Sequence, residues 1–237
     1  MRLIFKYDAF QLYIMKIGIL FSGGKDSSYA ALIAKREGYD LRCLISIQSQ
    51  NKDSFMFHTP SISQIGKQAE VMGIPLIIQK TKGKKDLELE DLEKAIKSAK
   101  NKYKIEGIVT GAVESVYQAS RIQKICDKLD LECFNPLWLK NQIDLLQELV
   151  KNKFEIVITS VAAYPLDEKF VGRKIDFDFI VDMKKLYGKH KINPAGEGGE
   201  FESFVLFAPG LFKTKLKIVD KKISGEKNSW RMEVGVE

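Results

Sequence analysis

The segment Ser22-Gly23-Gly24-Lys25-Asp26-Ser27 gathers residue types that together suit an anion. Two glycines allow positive φ and close approach of backbone to a ligand, the Ser22 and Ser27 hydroxyls can donate to phosphate oxygens, and Lys25 adds a full positive charge. Asp26 is the odd member. A carboxylate beside an anion seat makes sense when it holds a cation such as Mg²⁺ that bridges to phosphate, and a purely structural glycine turn has no need of it. The apolar run 16–21 precedes the segment and a helix-compatible stretch follows, so the reading is strand, glycine turn, helix start. At such a junction the first N–H groups of the helix lack intrahelical partners and the helix dipole is positive. The loop pattern Gly-x-x-x-x-Gly-Lys-Ser/Thr is excluded, because Gly18 and Gly23 have its spacing but Gly24 stands at its lysine position.

Three further constellations carry polar chemistry. In 111–121, Gly111 and Ala112 follow an expected strand and can bring backbone close to a nucleotide. Glu114, Gln118 and Arg121 are spaced by four and three residues, so they would project together from one helix face, where an arginine could clamp phosphate in a bidentate way. A solvated helix face is the plainer reading of that spacing. In 193–202, Glu197, Glu200 and Glu202 are interleaved with glycines, and they could bind Mg²⁺, attract ammonium or take a proton from an attacking amine. Taken alone, that stretch reads as an acidic hairpin turn. His58, in the aromatic loop 55–60, is a candidate substrate contact, against a more ordinary packing role. His190 has no argued role.

The elements that must position these groups alternate short β-branched runs with longer amphipathic stretches, which predicts a parallel, Rossmann-like α/β sheet with flanking helices. Strands are expected at 16–21, 41–47, 75–79, 106–111 and 131–134. Ser61 and Gln64 have capping-box form before the stripe Ile62, Ile65, Ala69, Met72, which Gly73 closes. Leu89, Leu92, Ile96, Ala99 and Tyr103 form a second core stripe, and Val116, Ala119, Ile122, Cys126 and Leu129 a third. In such a sheet ligands bind beyond the carboxyl ends of the strands, where strand order reverses.

The character changes after Pro136. A helix is expected at 142–152, a strand at 155–161, a helix at 176–187 and an apolar strand at 201–207. Phe212, Thr214, Leu216 and Ile218 alternate with Lys213, Lys215 and Lys217, which predicts a half-buried strand with a lysine-coated face guarding an edge. The expected organisation is an N-terminal extension at 1–14, a nucleotide-binding domain at 15–136 and a smaller α+β substrate-binding domain at 137–237. Met15 is a candidate start, since the strand logic begins directly after it.

The 237 residues carry a formal charge of +7, with lysines scattered rather than packed into a tract, so composition favours nucleic acid only weakly as a partner. Cys43, Cys126 and Cys133 form no Cys-x-x-Cys pair, which fits a reducing, cytoplasmic setting. No run reaches the roughly twenty apolar residues of a membrane span. A homo-oligomer is left open.

The Ser22–Ser27 run resembles the signature of the ATP pyrophosphatases. Together with Met56-Phe57-His58, the 111–121 segment, Asn135-Pro136-Leu137-Trp138 and the 196–202 segment, it resembles the diphthine-ammonia ligase family from about Met15 to Gly210. The resemblance implies a cytoplasmic enzyme that amidates diphthine on translation elongation factor 2, using ATP, Mg²⁺ and ammonium and releasing AMP and pyrophosphate through an acyl adenylate. It implies that Ser22 to Ser27 hold the departing pyrophosphate, that Asp26 contacts Mg²⁺ and that Arg121 adds charge. Ser203 stands where that pattern has threonine, a departure expected to leave the ATP site untouched. Two other readings share the nucleotide seat: an RNA-modifying ATP pyrophosphatase, and a nucleotide-binding regulator without catalysis.

Overall fold

The computed structural model describes residues 13–49, 64–82 and 85–237. The first of two sheets has five parallel strands, β1 (Lys16–Leu20), β2 (Asp40–Ser49), β3 (Leu76–Thr81), β4 (Gly107–Val109) and β5 (Glu132–Phe134), in the order β3-β2-β1-β4-β5. Helices α1 (Lys25–Arg36), α2 (Ile65–Met72), α3 (Lys85–Tyr103) and α4 (Val116–Lys128) connect or flank them. Central strands covered on both faces need continuous apolar runs, and Ile17 and Ile19 in β1 and Cys43, Leu44 and Ile45 in β2 are all buried. Strand order reverses between β1 and β4, so the turns after these two strands face one crevice.

The rest of the chain adds α5 (Gln142–Lys151), β6 (Glu155–Val161), a 3-10 turn (Glu168–Phe170), α6 (Phe177–His190), β7 (Phe201–Phe207), β8 (Ile218–Glu226) and β9 (Ser229–Val236). The four strands pair antiparallel in the order β7-β6-β9-β8. Local chemistry sets the helix ends: the side chains of Ser115, Asn141 and Asp176 accept backbone N–H bonds at the starts of α4, α5 and α6, and Gly73 ends α2 at φ 68°.

The two sheets share a core. Ile17 and Ile19 of β1, Leu145 and Leu149 of α5, Ile158 of β6 and Phe204 of β7 belong to one continuous buried cluster. A second cluster, with Ile45, Ile96, Ile108 and Cys126, fills the other face of the parallel sheet. Among the described residues, no helix is long and apolar enough to cross a membrane.

Two expectations change. The alternation after Phe212 is not a strand: residues 211–217 are irregular, because Lys213 N–H bonds to Val71 O and Leu216 N–H to Leu206 O, two different elements that cannot form one ladder. Phe212 and Leu216 anchor this strap while Lys213, Lys215 and Lys217 stay exposed. The edge is instead the β8–β9 hairpin, turned at Lys227 (φ 53°). Val116 is not core but 68% exposed at the start of α4, whose buried stripe begins at Ile122. His58 and Ser61 lie outside the described residues.

Candidate functional site

The hexapeptide is the turn between β1 and α1, as its composition requires. Gly23 sits at φ 79°, where a Cβ would fall 2.4 Å from Gln68 Oε1, and Gly24 is the extended N-cap residue of α1. Ser27 braces the turn from within: its hydroxyl accepts the Ser22 N–H and donates to Gly24 O, both at 3.2 Å. The Ser22 side chain lies at the exposed rim, 3.2 Å from Ser27 Oγ. The turn's serines thus divide into one scaffold hydroxyl and one facing outward.

Gly111, after β4, packs on this turn rather than standing apart from it. A Cβ there would lie 2.7 Å from both Asp26 C and Ser27 N, so only glycine permits the approach. Next to it, Ala112 N–H donates to Thr110 Oγ1, which donates to Asn135 Oδ1 at 2.5 Å. The Asn135 motif is therefore support for the Gly111 loop.

Strand β7 closes the opposite side. The Lys25 N–H donates to Ser203 Oγ at 3.2 Å, and the Val205 N–H donates to Gly23 O at 3.1 Å. The Ser203 departure therefore does touch the loop, contrary to expectation. Its hydroxyl satisfies one of the helix's orphan donors, a task serine and threonine share.

Lys25 is only 4% exposed. Its ammonium lies 2.7 Å from Asp26 Oδ2 and 5.5 Å from the Phe201 ring centroid. Burial pulls its pKa down, but the carboxylates of Asp26, Glu197 and Glu200 outweigh this and hold it above the ordinary lysine value. The glycine turn before β7 thus reaches the loop after β1. Burial pushes the Glu197 carboxyl up to about 7, with the Asp26, Glu114 and Glu200 charges adding to the rise and Lys25 opposing it. One ammonium among several carboxylates leaves this pocket acidic and receptive to a further cation.

The glutamates differ in what they can do. Glu200 is tied to its own turn, its two oxygens accepting the N–H groups of Asn193 (3.0 Å) and Gly198 (2.8 Å). Glu202 lies in β7, paired in register with Ser160. Glu197 is the member that couples electrostatically to both Lys25 and Asp26. Asp26 Oδ1 is buried without a hydrogen-bond partner, which fits a cation. Among the described residues no three acidic, histidine or cysteine side chains group closely enough to cage a metal alone, so a Mg²⁺ held by Asp26 would complete its shell with oxygens such as those of phosphate and water.

The triplet Glu114, Gln118 and Arg121 does not share a helix face. Glu114 precedes the N-cap residue Ser115 and accepts from Gln142 Nε2 at 3.2 Å, toward the acidic turn, while Gln118 uses its backbone N–H in capping. The Arg121 guanidinium lies flat on the Tyr117 ring, 3.3 Å from its centroid, and donates to Tyr117 O. Both contacts tie it to its own helix.

Two residues unremarked in the sequence hold the parts together. Gln68 Nε2 donates to Gly23 O (2.9 Å) and Val205 O (2.8 Å). Gln142 donates to Glu114 and to Asn193 Oδ1 and accepts the Ala195 N–H at 3.0 Å. Each occupies a core position of a helical stripe, Gln68 with Ile65, Ala69 and Met72, and Gln142 with Leu145, Leu146 and Leu149. A glutamine inside an apolar stripe is the signal that could have found both, since buried amides demand partners.

Residues 15–133 match the diphthamide synthase N-terminal domain and residues 141–236 the diphthamide synthase C-terminal domain. The diphthine–ammonia ligase of Bos taurus is 36% identical over 227 residues, covering 87% of this chain and 83% of that protein. The Homo sapiens enzyme is 35% identical with the same coverage. The Saccharomyces cerevisiae enzyme is 31% identical over 93% of this chain and 37% of its own length. A solved structure of the U34-tRNA thiolase NcsA from Methanococcus maripaludis aligns at 19% identity and TM-score 0.38, over 78% of this chain and 70% of that one.

Proposed function

Because the chain belongs to the diphthamide synthase family over both of its halves, we propose that it uses ATP and ammonium to amidate diphthine on translation elongation factor 2, releasing AMP and pyrophosphate. The diphthine carboxylate attacks the α-phosphate of ATP, forming an acyl–phosphate bond and breaking the bond to pyrophosphate. Ammonia then attacks the acyl carbon, and AMP leaves as the amide forms. The Ser22–Ser27 turn and the N-terminus of α1 receive the departing pyrophosphate, whose developing charge meets the Lys25 ammonium and backbone N–H groups. Mg²⁺, held by Asp26 and the phosphates, would neutralise charge on the leaving group.

The observation that carries this reading is the Ser22–Ser27 turn at the start of α1, where the buried Lys25 ammonium pairs with Asp26 at 2.7 Å and the charge of Glu197 acts on both. An ammonium ion attracted by that acidic pocket must lose a proton before it can attack. A carboxylate that titrates near neutrality can accept it, and Glu197 is the base in this reading. Glu200 shapes the turn, and Glu114 adds negative charge from the facing loop.

The test is release of AMP and pyrophosphate from ATP, Mg²⁺ and ammonium, with and without elongation factor 2 carrying diphthine, with mass spectrometry of the factor. Factor-dependent AMP release with a carboxylate replaced by an amide is expected. AMP release with an unchanged factor would remove the acceptor from the reading, and no AMP under any condition would remove the catalysis.

A further inference from the structure

The sequence rules fix where the turn's glycines lie but not which way their peptide planes face, and in an anion-binding turn that orientation decides between attraction and repulsion. The plane between Gly23 and Gly24 is the critical one. It is trans, so its C=O and N–H point in opposite directions. The carbonyl is directed into the protein and held there twice, by Gln68 Nε2 at 2.9 Å and by the Val205 N–H at 3.1 Å. The Gly24 N–H therefore faces the other way, and its one acceptor among the described residues, Ser22 Oγ, is distant at 3.4 Å.

We propose that Gln68 is a positioning residue that locks the Gly23–Gly24 peptide with its N–H toward the phosphate seat; this rests on the reading that the turn receives pyrophosphate. Gln68 suits the task. It is fully buried, and both acceptors of its amide are carbonyls, which fixes the nitrogen on that side. Its second bond, 2.8 Å to Val205 O, braces it against β7, while Oε1 has no hydrogen-bond partner and lies where a Gly23 Cβ would have to go. Without the amide, one of the two bonds holding the carbonyl inward is gone. A flip of the peptide would then aim the Gly23 oxygen at phosphate in place of the Gly24 N–H.

The experiment is calorimetric titration of the purified full chain with pyrophosphate and Mg²⁺, comparing wild type with Gln68→Met, which keeps the length and loses the donor. Pyrophosphate affinity should fall roughly ten- to hundredfold, the range for losing a hydrogen bond to a charged ligand, at a temperature well below both unfolding midpoints. A residue that merely stabilised the fold would lower the midpoint and leave affinity alone. Affinity within twofold of wild type would overturn the lock, as would a wild type that binds no pyrophosphate. If Gln68→Met does not fold, the Gly24 amide resonance of the wild type decides: it should move downfield as pyrophosphate is added, and an unmoved resonance overturns the proposal. Amidation of the factor is scored separately, so a protein that shows the lock but leaves diphthine unchanged loses its acceptor and keeps the lock.

Discussion

Gly111→Ala should abolish most of the activity while leaving the protein folded. The added methyl would lie 2.7 Å from Asp26 C and Ser27 N and 3.0 Å from Ser27 Cα, all backbone atoms that cannot rotate away. Ordinary contact begins at 3.4 Å, so the Ser22–Ser27 turn and the Gly111 loop must part by about 0.7 Å. A shift near 1 Å at a reacting centre costs about 10²-fold in turnover, and overpacking of this kind costs about 1–3 kcal/mol of stability. The assay is AMP release under saturating ATP, alongside thermal unfolding. Gly66→Ala, in α2 with nothing within 4 Å of the added carbon, is the control, and it should gain about 0.5–1 kcal/mol with unchanged turnover. Turnover of Gly111→Ala within threefold of wild type would refute the claim that this glycine sets the position of the turn.

Lys25→Ala and Asp26→Ala should each lower AMP formation by about 10²- to 10³-fold with the circular dichroism spectrum retained, and titration of Mg²⁺ should show a raised requirement for Asp26→Ala. Ser203→Ala leaves the Lys25 N–H without its acceptor and should cost about 1 kcal/mol in denaturant unfolding, whereas Ser203→Thr should retain both stability and turnover. Amidation should rise as pH increases through about 7, where Glu197 becomes a carboxylate, and Glu197→Gln should remove that limb of the pH–rate profile. Stability moves the other way. The native state keeps the Glu197 proton up to about 7 while the unfolded chain releases it near 4.5, so stability falls across that interval. Glu197→Gln should therefore be more stable by on the order of 2 kcal/mol at pH 8 and nearly neutral at pH 4, as unfolding at the two pH values would show.

The parallel sheet was legible because a buried strand and an amphipathic helix impose different periods, and Ile17 to Leu20 and the Ile65, Ala69, Met72 stripe display them plainly. The hexapeptide was legible for a similar reason: the positive φ of Gly23 demands glycine, although Gly24, expected to share it, is extended at φ −82°. What spacing could not tell was which side chains meet. Glu114 looked like part of a helix face with Gln118 and Arg121, but Ser115 caps that helix and puts Glu114 before its start. Arg121 looked free to reach phosphate, but an aromatic ring four residues earlier offers its guanidinium a nearer partner. The lysine alternation after Phe212 has strand period but lacks a continuous partner strand, and pairing is a property of two segments. Ser203 seemed remote because it lies 178 residues from Lys25, a separation across which local sequence carries no signal.

The buried cluster running from Ile17 through Leu145 to Phe204 has a consequence for how the protein can come apart. With one apolar core shared by the two sheets, melting one exposes apolar surface on the other, so the chain should unfold as a single cooperative unit. A gene cut near residue 138 would not yield a nucleotide-binding half that works alone. Its α1 would lack the Ser203 acceptor and its turn the Val205 donor, and β1 would present a greasy flank to water. A substitution in a surface loop of either half need not disturb the other, but at this seam a change on one side must be answered on the other.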